Sequence, residues 1–295
     1  MLKRRNAVRR CLAVATLGLF VVLGSSTSAL AHEGDFAKFN YCPSTNSEVF
    51  KCLYSLTYSG SIVLGTKTTP ITNPTTLQGG YSATNPEKHR ISTFFGATNG
   101  VTLSKTPQPV PGGLAGLINC KEIENLLVRA ACELALEGPL TGVNATLELA
   151  RPASEIQVSE FNMLAEEGLA LQLPVKVHLE NPFLGSSCYV GSSSTPVIWN
   201  LTTGTTSPPE PIAPITGTAG TALLKDEAEV AELDESVLVD NDWAAPEATG
   251  CGGALAFAVN PVLNAVLGLP AAEGHNSAIL ENTIDIATPE SVNSH

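Results

Sequence analysis

Apolar and polar residues alternate over residues 169–180, and this pattern constrains the fold more than any other feature of the sequence. Leu169, Leu171, Leu173, Val175, Val177 and Leu179 share one parity, and mostly polar residues hold the other. Because strand side chains point alternately to opposite faces, the pattern predicts a strand over 169–179 with one buried and one wet face. Pro174 cannot donate a ladder hydrogen bond, which predicts an edge strand or a bulge there.

Several other segments have the composition of short strands. The further candidates are 61–71, 90–103, 143–149, 197–201 and a last strand that contains Leu280, Ile284 and Ile286. Turn-rich spacers separate these runs. The sequence therefore predicts a mainly β fold, an antiparallel β-sandwich or open barrel. The threonine- and proline-rich stretch 201–216 has no core pattern and predicts an exposed, extended loop.

One segment has the spacing of an amphipathic helix instead. Its apolar positions are Ile123, Leu126, Leu127, Ala130, Ala131 and Leu134. Intervals of three and four place such residues on one helix face. Asn119 and Glu122 match an N-cap and its capping-box partner. The sequence therefore predicts one inserted helical segment around 119–137. Residues 255–267, interrupted by Pro261, predict a second helix or an apolar loop.

The N-terminus has the composition of an export signal. Lys3, Arg4, Arg5, Arg9 and Arg10 are followed by an uncharged run to Gly24 and by Ala29-Leu30-Ala31. A basic head, a short apolar core and small residues before a cleavage point are typical of a cleaved signal peptide. The apolar run is shorter than the ~20 residues of a membrane span. We expect a signal at 1–31 and a secreted, single β-rich domain at 32–295.

The net charge of the chain limits the classes of partner that we expect. Cleavage after residue 31 leaves 11 basic and 28 acidic residues, a formal charge of −17. Such a chain repels nucleic acid and anionic lipid headgroups. We therefore expect an extracellular ligand or cell-surface component as partner, with no nucleic acid and no stable membrane insertion.

Six cysteines remain after cleavage and predict three disulfides in an exported chain. They are Cys42, Cys52, Cys120, Cys132, Cys188 and Cys251. Pairing of sequence neighbours creates a conflict at Cys120 and Cys132, because unbroken helix would separate them by about 18 Å. Disulfides need Cα atoms roughly 4.4–6.8 Å apart. Either the helix begins well after Cys120 and the chain folds back, or this pair is wrong. We keep the pairing of sequence neighbours as the prediction: Cys42–Cys52, Cys120–Cys132 and Cys188–Cys251.

The sequence predicts no catalytic, cofactor or metal site. Nucleophile-elbow, zinc-protease and nucleotide-binding motifs are missing from it. His178 lies on the wet parity of its strand, which favours a solvated residue over a general base. Eight carboxylates lie in 226–242, which ends in Asp240-Asn241-Asp242. Because the EF-hand pattern is incomplete, solvated surface is favoured, and a cation site stays as the alternative.

The two tryptophans are the available aromatic platforms for a carbohydrate. Trp199 shares the apolar parity of residues 197–201, so we expect it in the core. Trp243 follows the acidic run, and we expect it to form an exposed contact.

Three C-terminal segments together resemble a group of secreted actinobacterial proteins with no assigned activity. They read ENPFLGSSCYVGSS, NLTTGTTSPPEPIAPITG, and VDNDWAAPEATGCGG followed by NPVLNAVLGLPAAEGHNSAIL, over about the last 120 residues. The resemblance implies an actinobacterial host, export and a shared extracellular domain. It also implies pairing of Cys188 with Cys251, which lie in the best-matching segments.

These observations favour a secreted, non-catalytic protein with a structural, adhesive or ligand-binding role. One alternative is a secreted hydrolase of polysaccharide or ester that uses carboxylates such as Asp240 or Asp242. Another is a membrane-associated or pore-forming β assembly whose segment 255–267 touches lipid. Converging acids or a His–carboxylate pair in a deep pocket would favour the hydrolase.

Overall fold

The strands form one antiparallel sheet that bends into two facing layers. The computed structural model describes residues 32–84, 90–138 and 141–295, so the predicted signal at 1–31 lies outside the described residues. The strands are β1 (Lys51–Leu64), β2 (Lys67–Pro70), β3 (Thr75–Tyr81), β4 (Ser92–Gly96), β5 (Pro107–Pro109), β6 (Asn144–Leu149), β7 (Gln157–Val158), β8 (Leu171–Glu180), β9 (Tyr189–Val190), β10 (Val197–Leu201), β11 (Thr221–Lys225), β12 (Val230–Asp240), β13 (Ala248–Thr249) and β14 (Ser277–Ala287). The predicted mainly β, antiparallel class is confirmed, and the sheet is open.

Strand β4 connects the two layers. The first layer runs in the order β11-β12-β14-β1-β3-β4, with β2 also on β1. Residues 94–96 of β4 pair with β3, whereas Ser92 and Thr93 pair with β7. β7 and β6 then pair with β8, which carries β10 and β9 on its other side. The apolar inner faces of both layers form the main core.

Strand β8 confirms the predicted alternation, with Leu171, Leu173, Val175, Val177 and Leu179 buried. The expected edge position of Pro174 is wrong. β8 has neighbours on both sides, and its ladder with β10 runs through Pro174 without a register shift. β6 ends next to Pro174, whose carbonyl accepts from the Ala150 N–H at 2.9 Å. The missing donor therefore faces the gap between β6 and β7, where no ladder hydrogen bond is lost.

The helices are α1 (Gly113–Leu117), α2 (Leu126–Glu137), α3 (Glu160–Ala165), α4 (Ala256–Leu267) and α5 (Pro289–Ser294). The candidate at 255–267 is thus a helix, and it buries Val259, Val262, Leu263 and Leu267 against the core. The loop expected at 201–216 is exposed only in its second part. Thr202, Thr203 and Thr206 are buried, because Thr202 exchanges backbone hydrogen bonds with Val239 of β12.

The predicted helix at 119–137 divides into two pieces. Asn119 accepts from the Lys121 N–H and begins a 3-10 turn at Cys120–Glu122, and Asn125 caps α2. The chain folds back between them, so the Cα atoms of Cys120 and Cys132 lie 5.7 Å apart in a disulfide. Asn119 is an N-cap, as predicted, but it caps the 3-10 turn and not the long helix.

The other cysteines also pair with their sequence neighbours. Cys42 bonds Cys52, and Cys188 bonds Cys251. Cys42–Cys52 belongs to a second, smaller core on the outer face of the first layer, where residues 34–49 cover the sheet. Phe36 and Phe39 of this cover are almost fully buried.

The orientation of α2 differs from that of a usual amphipathic helix. Val128 and Cys132 face the core, whereas Leu127 and Leu134 of the apolar stripe are 84% and 71% exposed. The disulfide fixes the position of Cys132 and therefore turns the stripe towards solvent. Few buried side chains hold this helix to the domain.

We predict that Cys120→Ala/Cys132→Ala loosens α2 selectively. Without the disulfide, little apolar burial opposes local opening of the helix. Hydrogen exchange by mass spectrometry should show faster exchange over 126–137 and unchanged exchange in β1 and β14. Unchanged protection of α2 would contradict this account, and faster exchange everywhere would show a global role.

Candidate ligand-binding cavities

Two neighbouring cavities lie between the layers. The Trp199 cavity has a volume of about 40 Å³ and is lined mainly by apolar side chains, among them Leu77, Leu103, Leu171, Leu173, Trp199 and Leu280. The Lys67 cavity also has about 40 Å³ and is lined by Val110, Leu117, Val177, Leu179, Leu267 and Lys67, among others. Both are lined by Ile62, Gln108 and Leu147. These three side chains therefore lie at the boundary between the two cavities.

A buried asparagine on β14 gives the Trp199 cavity part of its polar lining. Asn282 accepts from the Thr57 hydroxyl at 2.5 Å and donates to the Leu280 carbonyl at 2.7 Å. Beside it, β1 and β12 each contain one extra residue, which shifts their register with β14. Such bulges bend strands locally. The inner face of the first layer is therefore interrupted where the cavity lies.

Gln108 lies at the boundary between the cavities, and the polar atoms of its side chain already have hydrogen-bond partners. Its Oε1 accepts from the N–H groups of Thr72 and Asn73 at 2.9 and 3.0 Å, and its Nε2 donates to the Asn73 carbonyl at 2.7 Å. The Gln108 amide therefore shapes the wall and needs no hydrogen bond from a ligand.

The turn between β1 and β2 positions Lys67. Leu64 pairs with Lys67, so Gly65 and Thr66 form a two-residue loop. Gly65 has a φ of +57°, and a Cβ there would lie 2.0 Å from the Leu267 carbonyl oxygen. Glycine is required because the turn lies directly against the end of α4. The turn thereby fixes the first residue of β2 at the margin of the cavity.

The Lys67 ammonium lies beside Gly116 of α1. Among the described residues it has neither an ion-pair partner nor a hydrogen-bond acceptor. A cation at the margin of an apolar cavity is suited to an anionic group on an otherwise apolar molecule. Sequence reasoning missed Lys67 and Gln108, because no motif marks either residue.

His178 lies in a half-buried polar cluster on the outer face of the second layer, so the expected solvated position is wrong. Its ring is 14% exposed, and Nδ1 lies 3.8 Å from a carboxylate oxygen of both Glu148 and Glu180. Tyr189 stacks on the ring, with centroids 4.3 Å apart. Nε2 is buried and has no partner among the described residues, so it is closed to an incoming substrate.

Glu148 is the anion of this cluster. Burial alone would raise the pKa of Glu148, but the hydrogen bond from Lys176 and the nearby Lys105 ammonium outweigh it and lower the pKa. Lys176 also lies 4.1 Å from the centre of the Tyr189 ring. Both His178 and Lys176 contact that ring, which leaves less of it free for stacking on a sugar.

The acidic run 226–242 is mostly strand, because β12 pairs with β14 over most of its length. Asp240 is 1% exposed and accepts from the N–H groups of Asn200 and Asp242 at 2.6 and 2.8 Å. Burial raises the pKa of Asp240 to about 6 against these hydrogen bonds. The described residues contain no group of three or more His, Cys, Asp or Glu side chains that could hold a metal ion.

Glu232 of the acidic run belongs to a buried ionic cluster with residues from other parts of the chain. Lys38 lies 2.8 Å from Asp285 and 3.4 Å from Glu232, and Lys225 lies 2.5 Å from Glu232. Burial raises the pKa of Asp285 to about 6, and the neighbouring Glu232 adds to the rise against the effect of Lys38. These contacts fasten the N-terminal cover to the sheet and explain why the two acids are tolerated inside.

The expectation for Trp199 is confirmed, and that for Trp243 is wrong. Both indoles are buried, and their rings meet edge to face with centroids 6.0 Å apart. Trp243 therefore belongs to the core and offers no exposed contact. Among the described residues, no helix is both long and apolar enough to cross a membrane.

Comparisons of the chain with protein families, with curated proteins and with solved structures found no match.

We predict that Lys38→Met lowers the free energy of unfolding by about 3 kcal/mol, because it removes one partner of a buried ionic cluster. Urea denaturation would measure this change. The exposed Lys121 supplies the control, since Lys121→Met should change stability by less than about 0.5 kcal/mol. Equal effects of the two substitutions would contradict the role of the cluster.

We predict a pH-dependent cost of ionising Asp240. Its pKa of about 6 lies above the ordinary 3.8, so the folded chain binds this proton more tightly than the unfolded chain. The stability it contributes is full below about pH 4 and is lost as the pH rises through about 6, a change of roughly 3 kcal/mol. Denaturation from pH 4 to 8 should show this slope in the native chain relative to Asp240→Asn. Parallel stability curves would contradict it.

Proposed function

We propose that the mature chain is exported and acts outside the cell as a non-catalytic binding protein for a slender apolar molecule with an anionic head. The observation that carries this proposal is the pair of adjoining apolar cavities with the unpaired Lys67 at their margin. The occupant would be an extracellular ligand or a component of the cell surface.

Export is supported by the sequence of residues 1–31 and by the cysteines. All six cysteines of 32–295 are disulfide-bonded. Stable disulfides are typical of oxidising compartments outside the cytoplasm.

The size of the cavities favours a narrow ligand. About 10–15 Å³ of such volume holds one water molecule, so each cavity has room for roughly three. An alkyl chain fits a slot of this kind better than a ring does. Each methylene buried between the layers would stabilise the complex by about 0.8 kcal/mol, and small rotations of Ile62 or Leu147 would connect the cavities.

Lys67 would select the head of the ligand. An anion beside its ammonium gains a charge-assisted hydrogen bond while the apolar tail enters the Lys67 cavity. The rest of the chain is strongly acidic, which makes an unpaired cation at an apolar margin a specific attraction for an anion.

We predict that the mature chain binds octanoate, measured by isothermal titration calorimetry. Lys67→Gln should weaken octanoate about tenfold and leave the binding of 1-octanol unchanged, because the alcohol has no charge. Lys121→Gln is the matched control and should bind octanoate like the native chain.

A larger side chain at the boundary between the cavities tests whether the apolar tail of the ligand binds there. Leu147→Phe should abolish binding of both octanoate and 1-octanol while thermal unfolding shows a folded chain. Leu164→Phe, at a side chain about half exposed, should not change binding. No heat of octanoate binding in the native chain, or binding that ignores Leu147→Phe, would contradict the proposal.

A hydrolase of polysaccharide or ester is the second candidate, favoured by the contacts of His178 with Glu148 and Glu180. Turnover on a panel of glycosides and esters, lost in Glu148→Gln, would support it. The buried Nε2 of His178 and the enclosed Asp240 are the observations against it.

A further inference from the structure

Strand β11 is a free edge of the sheet. It pairs with β12 on one side, and among the described strands none pairs with its other side. Residues 221–224 are exposed, and Leu224 is exposed to 71%. In an antiparallel ladder, alternate residues direct their N–H and C=O groups away from the neighbouring strand. β11 therefore presents unpaired backbone groups and apolar side chains together.

Edge strands β5, β2 and β10 carry features that block a further strand. β5 contains Pro107 and Pro109, and β2 ends in Pro70. The Asn200 N–H of β10 donates to the buried Asp240 carboxylate. Proline and capped backbone groups are ordinary protections of sheet edges. β11 has no proline, and its single charge, Lys225, is paired with Glu232.

We propose that β11 pairs with β11 of a second copy of this chain, antiparallel and related by a two-fold axis at Leu223. This interface is isologous, since each strand presents the same groups to the other. Leu223 then lies opposite Leu223 of the partner subunit, and Leu224 lies opposite Ala222 of the partner subunit. The two sheets would continue into one.

The charges around β11 suit this register. Thr221 pairs with Asp234 inside each copy, so the two share one face. The two-fold axis places Lys225 opposite the neutral Thr221 of the partner subunit. Lys225 stays paired with Glu232 of its own copy, so β11 brings no unpaired charge to the new strand pair.

The first test is the oligomeric state of the mature chain, measured by sedimentation equilibrium over a range of concentrations. We expect a monomer–dimer equilibrium whose dissociation constant rises at least about tenfold in Leu224→Asp. The matched control is Leu134→Asp, because Leu134 of α2 is equally exposed, at 71%. This variant should dimerise like the native chain.

The second test fixes the register. All six cysteines of 32–295 are in disulfides, so Leu223→Cys adds the single free thiol. Strand partners at a two-fold axis have Cα atoms about 4.5–5.5 Å apart, within the range of a disulfide. Mild oxidation should cross-link Leu223→Cys into a dimer, and Leu134→Cys should stay unlinked.

Three results would overturn the proposal. A native chain that stays monomeric at every concentration would remove the interface. A dimer that dissociates in Leu134→Asp but not in Leu224→Asp would place the interface at α2. A dimer in which Leu223→Cys does not cross-link would contradict the two-fold register.

Discussion

The antiparallel pairing of β1 with β14 is the constraint on which the other elements depend. It joins residues 52–63 to 277–287, so it brings together segments more than 200 residues apart in the sequence. β12 then adds to β14, and β3 adds to β1, and these additions define the first layer. Such long-range pairing closes a large loop, and its contacts must offset the entropic cost of that closure.

The same pairing explains why the interior is incomplete. Asn282 of β14 faces the core and lies between an irregularity in β1 and another in β12. A polar side chain with its own hydrogen bonds packs less closely than a leucine would, and space is left beside Trp199. Gly65 allows the tight turn that places Lys67 beside the neighbouring cavity, and Gln108 holds the chain just after β2. The two cavities therefore lie where regular sheet packing is interrupted.

Periodicity predicted much of the fold, because β8, β10 and β14 bury every second side chain and their sequences show it. It was wrong for Leu127 and Leu134, because a disulfide rather than apolar burial decides which face of α2 turns inward. It was wrong for the environment of His178, and the expectation drawn from the acidic run was wrong for Trp243, because other elements cover both residues. The candidate site could not be predicted, since its walls come from both layers and a cavity has no local sequence pattern.

The most direct test of the central claim is a crystal structure of the mature chain grown with octanoate. We expect continuous density for the alkyl chain between the layers, with the carboxylate beside the Lys67 ammonium and rotated side chains at Ile62 or Leu147. Closed, unoccupied cavities with octanoate bound elsewhere on the surface, or with no octanoate density at all, would contradict the account.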